Sequence, residues 1–224
     1  MKFFTGGRQK GGLAQPYPPY RIGILTILLC TYLAACMAQP VGRTQSPLAL
    51  PTASVQNIPI TGSSTSCNSP APLTVGVTQG PYFKAGSPEK TSLIEAGMQG
   101  RKLVLSGYVS TTDCKPVAHA QLDFWQADAN GQYDNSGYTL RGHQFTDSAG
   151  HYQLTTIVPG LYTGRTEHIH VKVLAPGGPV LTTQLFFPGV AQNQSDGIFN
   201  PSLLMSVKNN SDGETAIFNF VISP

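Results

Sequence analysis

The chain has 224 residues, enough for one domain of ordinary size with flanking segments. Only 11% of them are charged, while 24 Gly and 18 Pro punctuate the chain with turns, a balance that suits short strands better than long helices. The net charge of +3 rests on Lys2, Arg8, Lys10 and Arg21; beyond residue 35 the chain holds 10 basic against 11 acidic residues, with no basic run that would follow a phosphate backbone, and nucleic acid is excluded as a partner.

Arg21 precedes the apolar run Ile22 to Ala35, which is short for a membrane span and right for the core of a signal peptide over residues 1–35. The run ends in Leu33-Ala34-Ala35-Cys36, which resembles a bacterial lipobox. Cys36 is then expected to carry lipid and to become the N-terminus of an exported protein, held to the extracytoplasmic face of a membrane through that anchor only. An ordinary signal peptide cut near Ala35 or Ala38, or a retained anchor, is the alternative, and each version exports the domain. Residues 36–66 are rich in Ser, Thr, Pro and Gln without a sustained apolar period, the texture of a flexible tether. Cys67 and Cys114 remain in the exported part. Two thiols in an oxidising compartment point to a disulfide rather than to two free thiols.

The domain is expected over residues 67–224. Lys102 to Val109 alternates in hydropathy and predicts a strand. Ala120 to Ala127 predicts another, with Leu122, Phe124 and Gln126 on one face. Gly150 to Ile157 follows the turn Asp147-Ser148-Ala149-Gly150 as a third. His168 to Leu174, Leu181 to Phe187 and Ala216 to Ile222 complete the series. No window of a dozen residues carries a helical stripe. The expected fold is all-β, an antiparallel β-sandwich with long active-site loops and little helix.

The strand at His168 carries chemistry. Side chains alternate along a strand, so His168 and His170 share one face while Ile169 points to the other, into the core. Two imidazoles one step apart can converge on a metal ion, although H-x-H alone reads equally as two surface histidines. Tyr162 lies in the Pro-Gly-Leu-Tyr loop entering this strand, and Tyr133 in the turn NGQYDN after the Trp125 strand. Tyrosine is a poor ligand at its ordinary pKa of about 10, and a trivalent cation overcomes that by stabilising the phenolate. Two phenolates with two neutral imidazoles prefer Fe(III) over Fe(II) or Zn(II).

Four segments in order, WQADANGQY, RGHQFTDSAGHY, TIVPGLYTGRTEHIHVKV and LTTQLFF, resemble the intradiol ring-cleavage dioxygenase family, in its protocatechuate 3,4-dioxygenase-like form. The resemblance runs from Thr78, in TQGPYF, to Phe220. It implies one non-haem Fe(III) per chain, held by Tyr133, Tyr162, His168 and His170, with Tyr162 the ligand that leaves when substrate binds. It also implies that Arg165 and Gln184 act beside the metal. The implied reaction is cleavage of a catechol between its hydroxylated carbons, with both atoms of O2 entering the product. His119, His143 and His151 match no ligand position and read as structural or solvent-facing; Tyr138 and Arg141, near the Tyr133 turn, read as packing. Two other readings stay open: an exported sandwich that binds aromatics or carbohydrates without catalysis, and a Zn(II) or Fe(II) enzyme using the same pocket. The residues leave the choice of catechol open, among catechol, protocatechuate, hydroxyquinol and lignin-derived catechols, and the oligomeric state with it.

Overall fold

The computed structural model describes residues 67–162 and 164–223; the signal peptide, Cys36 and the 36–66 tether lie outside the described residues. Nine strands follow one another: β1 Lys102–Thr111, β2 Gln121–Trp125, β3 Arg141–Phe145, β4 His151–Ile157, β5 His168–Leu174, β6 Val180–Phe186, β7 Ser206–Asn210, β8 Gly213–Ile217 and β9 Phe220–Ile222. Single turns of 3-10 helix at Ala191–Gln194 and Pro201–Leu203 are the helical content of the described residues. The alternation read in the sequence drives this. Along β1, Leu103, Leu105 and Val109 are buried on one face, between less buried neighbours on the other.

Two sheets pack face to face. One runs β4-β1-β8-β7 with β9 also on β1, and the other runs β3-β2-β5-β6. Their inner faces meet in one core that includes Leu105, Leu122, Phe124, Leu154, Ile169, Val171, Leu185 and Phe220. The sandwich is all-β. The β3-β2-β5-β6 sheet is antiparallel throughout, whereas β8 and β9 pair parallel with β1 in the other sheet.

That departure from a wholly antiparallel arrangement goes with a break in the strand expected over Ala216 to Ile222, which is β8 and β9 separated at Phe218 and Asn219. Gly107 on β1 lies so close to the Phe218 carbonyl that no Cβ fits between them. The buried Tyr152 hydroxyl donates to that same carbonyl at 2.8 Å. The Tyr108 backbone N–H donates to the Asn219 side chain at 3.0 Å. The ladder is interrupted there and its polar groups are satisfied by other partners. Strands β3 and β7 were not expected from the sequence. RGHQF and SVKNN are mostly polar and lack a clean alternation of apolar residues.

The disulfide Cys67–Cys114 closes a separation of 47 residues. From it, the chain runs along the sandwich margin. Thr74 N–H donates to the Val221 carbonyl at 2.8 Å and Val77 N–H to the Thr182 carbonyl at 2.9 Å, so this segment touches both sheets.

Candidate metal centre

Strand β5 is buried on both faces from His168 to Val171. Ile169, Val171 and Val173 enter the core, as the alternation requires. His168 and His170 point the other way and are covered by loops, which removes the reading of two surface histidines. The register of the sheet sets their company. Arg141 on β3 pairs with Trp125 on β2, Trp125 with His170 on β5, and His170 with Gln184 on β6. These four form one cross-strand row, exposed by 2%, 1%, 2% and 0% respectively.

The donor atoms converge. His168 Nε2 lies 3.1 Å from His170 Nε2 and 3.4 Å from the Tyr133 hydroxyl. Two donors each about 2.1 Å from a shared ion, near a right or tetrahedral angle, stand roughly 3.0–3.4 Å apart. The Tyr162 ring completes the cluster, 5.9 Å from the Tyr133 ring and 6.3 Å from the His168 ring between centroids. His168 Nδ1 lies 2.6 Å from the Thr166 carbonyl, so this nitrogen carries the proton and leaves Nε2 with its lone pair toward the cluster. His170 is held differently. Its Nδ1 has no partner among the described residues, and the ring stacks on Trp125 at 4.7 Å with an interplanar angle of 8°. A Cβ on Gly80 would meet the His170 ring edge at 3.4 Å, and Gly80 has φ +70.

The electrostatics suit a highly charged cation. Burial first, and then the positive charge of Arg165, hold the His168 pKa down to about 4 against the hydrogen bond to Thr166. Burial, and then the neighbouring His168, hold the His170 pKa well below its usual range. Both imidazoles are therefore neutral, the form in which an imidazole can take a metal. Burial, followed by the adjacent Tyr162, pushes the Tyr133 phenol well above its usual range. A phenolate there needs a strong positive charge beside it. Among the described residues no three His, Cys, Asp or Glu side chains cluster, so a metal at this place takes tyrosine oxygen. The donor set fits Fe(III).

Arg165 and Gln184 meet beside these donors. Arg165 Nη2 donates to Gln184 Oε1 at 2.6 Å and its Nε to Asp196 at 2.9 Å. Gln184 in turn donates to the Thr78 carbonyl at 2.9 Å. Asp196 was not read in the sequence, where it sits in the featureless loop AQNQSDG. It also accepts the backbone N–H groups of Thr166 and Ile198, each at 2.9 Å. Burial raises its pKa, but these three donors outweigh burial and hold the carboxyl below its usual range. The charge of Arg165 is felt at Tyr133 and at both histidines.

The two tyrosine turns are locked together through glycines. A Cβ on Gly131 would strike the Leu161 carbonyl, and one on Gly160 would strike the Ala129 carbonyl. Asp134 closes the Tyr133 turn by accepting N–H groups from Ser136, Gly137 and Thr139, and the Gly137 and Thr139 bonds foremost hold its carboxyl far below the usual range. Buried Arg141 donates through Nε and Nη2 to the Asp134 carbonyl and through Nη1 to the Tyr82 carbonyl. It clamps that turn to the Tyr82 loop. Tyr138 serves the same loop, its hydroxyl donating to the Ala85 carbonyl at 2.8 Å. Tyr82, in the segment TQGPYF, stacks on Tyr133 at 4.3 Å and meets Tyr162 edge-on at 5.7 Å. Its aromatic partners were invisible before the loops were placed. His143 lies 2.8 Å through Nδ1 from the Ser87 carbonyl, and His151 pairs with Asp147 near the surface, both away from the donor cluster.

Comparison with known proteins gives a consistent picture. The profile of a family described as Dioxygenase matches residues 78–223. Hydroxyquinol 1,2-dioxygenase of Nocardioides simplex is 32% identical over 144 residues, 54% of this chain and 49% of that protein. Chlorocatechol 1,2-dioxygenase of Pseudomonas sp. (strain P51) is 30% identical over 172 residues, 64% of this chain and 68% of that one. The chain spans about half to two thirds of the length of these curated relatives. Among solved structures, the dioxygenase domain of a dioxygenase carbohydrate-binding protein fusion from Streptomyces sp. SirexAA-E superposes with a TM-score of 0.66 at 52% identity, covering 67% of this chain and 98% of that one. The family match takes in every residue of the donor cluster and its surroundings, from Thr78 to Asp196, and the chain belongs to the intradiol ring-cleavage dioxygenase family.

Proposed function

We propose that this protein cleaves the aromatic ring of a catechol between its two hydroxylated carbons, using O2 and one non-haem Fe(III) per chain, and releases a muconate-type diacid. One observation carries the reading: two neutral imidazole nitrogens 3.1 Å apart with a half-buried phenol oxygen 3.4 Å from one of them. Tyr133, Tyr162, His168 and His170 would hold the ion. When bound, Fe(III) supplies electron withdrawal from the catecholate, which makes the ring reactive toward O2. The stoichiometry closes without a further reductant: one carbon–carbon bond breaks, each of its carbons gains one oxygen atom, the ring loses four electrons and O2 takes them up.

The chain's own groups prepare the site for a dianion. Tyr162, on the Pro-Gly loop, would be the phenolate that takes up one of the two protons the catechol hydroxyls lose, the other passing to solvent. Arg165 presents its charge to the bound catecholate from a fixed direction, because Asp196 and Gln184 hold two of its nitrogens. Trp125, stacked on the His170 ring, holds its orientation. The expected setting is export, with Cys36 carrying the lipid that anchors the domain.

The test is direct. Residues 67–224, purified and loaded with iron, should hold close to one iron per chain, show a visible tyrosinate-to-iron band, and consume one O2 per catechol with a muconate-type product. A colourless protein that keeps zinc after iron loading, or an iron protein that cleaves no catechol, overturns the proposal. Cys36→Ser should abolish fatty-acid labelling of the full chain; absence of label in the unaltered chain refutes the anchor alone.

A further inference from the structure

Tyr133 and Tyr162 open onto a cavity of about 470 Å³ whose remaining wall includes Asn130, Gln132, Asn135 and Leu161. A cavity of roughly 150 Å³ already holds benzene, and small-molecule sites run from about 300 to 1,000 Å³. The open space beside Tyr133 and Tyr162 is therefore large enough to take a substituent on a catechol ring.

Its chemistry is one-sided. No Lys, Arg or His lines it. The two arginines nearby have structural partners already: Arg141 donates to the Asp134 and Tyr82 carbonyls, and Arg165 to Asp196 and Gln184. A carboxylate on the substituent would find no cation on this wall to pair with, only uncharged side chains. Uncharged polar groups meet better partners. The side-chain amides of Asn130, Gln132 and Asn135 make no hydrogen bond to any described residue, and each offers both donors and an acceptor. Leu161, 44% exposed, adds an apolar surface beside them.

We infer that this cavity is the subsite for the ring substituent, and that the preferred substrates are catechols bearing a bulky, uncharged, hydroxyl- or ether-rich substituent, with carboxylated catechols disfavoured. The inference rests on the ring-cleaving function proposed above.

Two catechols of equal length decide it: ortho-dihydroxyphenylpropanol and ortho-dihydroxyphenylpropionate, which differ in the terminal group. O2 uptake by the iron-loaded enzyme should give kcat/KM at least about tenfold higher for the alcohol, mainly through KM. Asn130→Lys and Asn135→Lys should each lower the alcohol-to-acid ratio by about tenfold, a ratio within one preparation that loss of folded enzyme cannot move. An unaltered enzyme that takes the acid as well as the alcohol, or lysine variants that leave the ratio unchanged, overturns the inference while ring cleavage stands. An enzyme that cleaves unsubstituted catechol but neither long substrate overturns it too. Failure on every catechol removes the proposed function and this inference with it.

Discussion

His168 couples the centre to pH. Its imidazole is neutral in the folded domain down to about pH 4, whereas in the unfolded chain it takes up a proton near pH 6.5. The unfolded state thus binds more protons throughout that window. Stability of the metal-free domain is full above about pH 6.5 and declines as pH falls toward 4, by on the order of 3 kcal/mol from this residue. Urea unfolding of metal-free protein across that range should show the decline, and a flat profile would contradict the burial of His168. Asp196 makes a second residue-scale prediction. Asp196→Asn keeps one acceptor oxygen, enough for Thr166 or Ile198 but not for both, and removes the charge that aims Arg165. Iron and colour should stay while kcat falls by roughly 10–10²-fold. In an Arg165→Ala background the same substitution should cost almost nothing further, since the two act as one unit; an additive loss would make Asp196 merely structural. The paired donors were legible because they carry chemistry in recognisable spacing. Asp196 was not, because a carboxylate in a polar loop has meaning only when the fold brings it to a guanidinium.

Among the elements, β5 shows why part of the site escapes sequence reading. Alternation along one strand correctly separates His168 and His170 from Ile169. It says nothing about which residues lie beside them on neighbouring strands. The row Arg141, Trp125, His170, Gln184 is a fact of register between β3, β2, β5 and β6, and β3 itself was missed because Arg141–Phe145 is mostly polar. Gln184 was reached through family resemblance, whereas the clamp made by Arg141 and the stacking of Trp125 needed the sheet. The tyrosine turns add an element-scale prediction. Gly131 has φ +77 and no room for a Cβ against the Leu161 carbonyl. Gly131→Ala should push the two turns apart, lowering stability by roughly 1–3 kcal/mol and reducing iron content, measured by thermal unfolding and metal analysis. Normal iron content with a normal Tm would show that the turns are not held through this contact.

For the whole molecule, the two-layer β architecture follows from short alternating segments and a low share of charge, and that much was readable. The parallel pairing of β8 and β9 with β1 was not, since it depends on a break at Phe218 set by Gly107 and Tyr152 from distant strands. The disulfide constrains the unfolded chain across 47 residues. Reduction, or Cys114→Ser, should lower stability by about 2–4 kcal/mol in thermal unfolding while the folded domain keeps its iron; an unchanged Tm on reduction would mean the bond does not restrain the unfolded state. The position of that bond has a mechanical consequence. Downstream of Cys67, the chain reaches the donor cluster within 11 to 13 residues: the Thr78 carbonyl accepts from Gln184 and Gly80 lies beside His170. A pull arriving from upstream would otherwise peel this margin away one hydrogen bond at a time, beginning at Ala71 and ending at the donor cluster. With Cys67 tied to Cys114, the load passes sideways into the loop after β1, and the stretch that lines the site bears no tension.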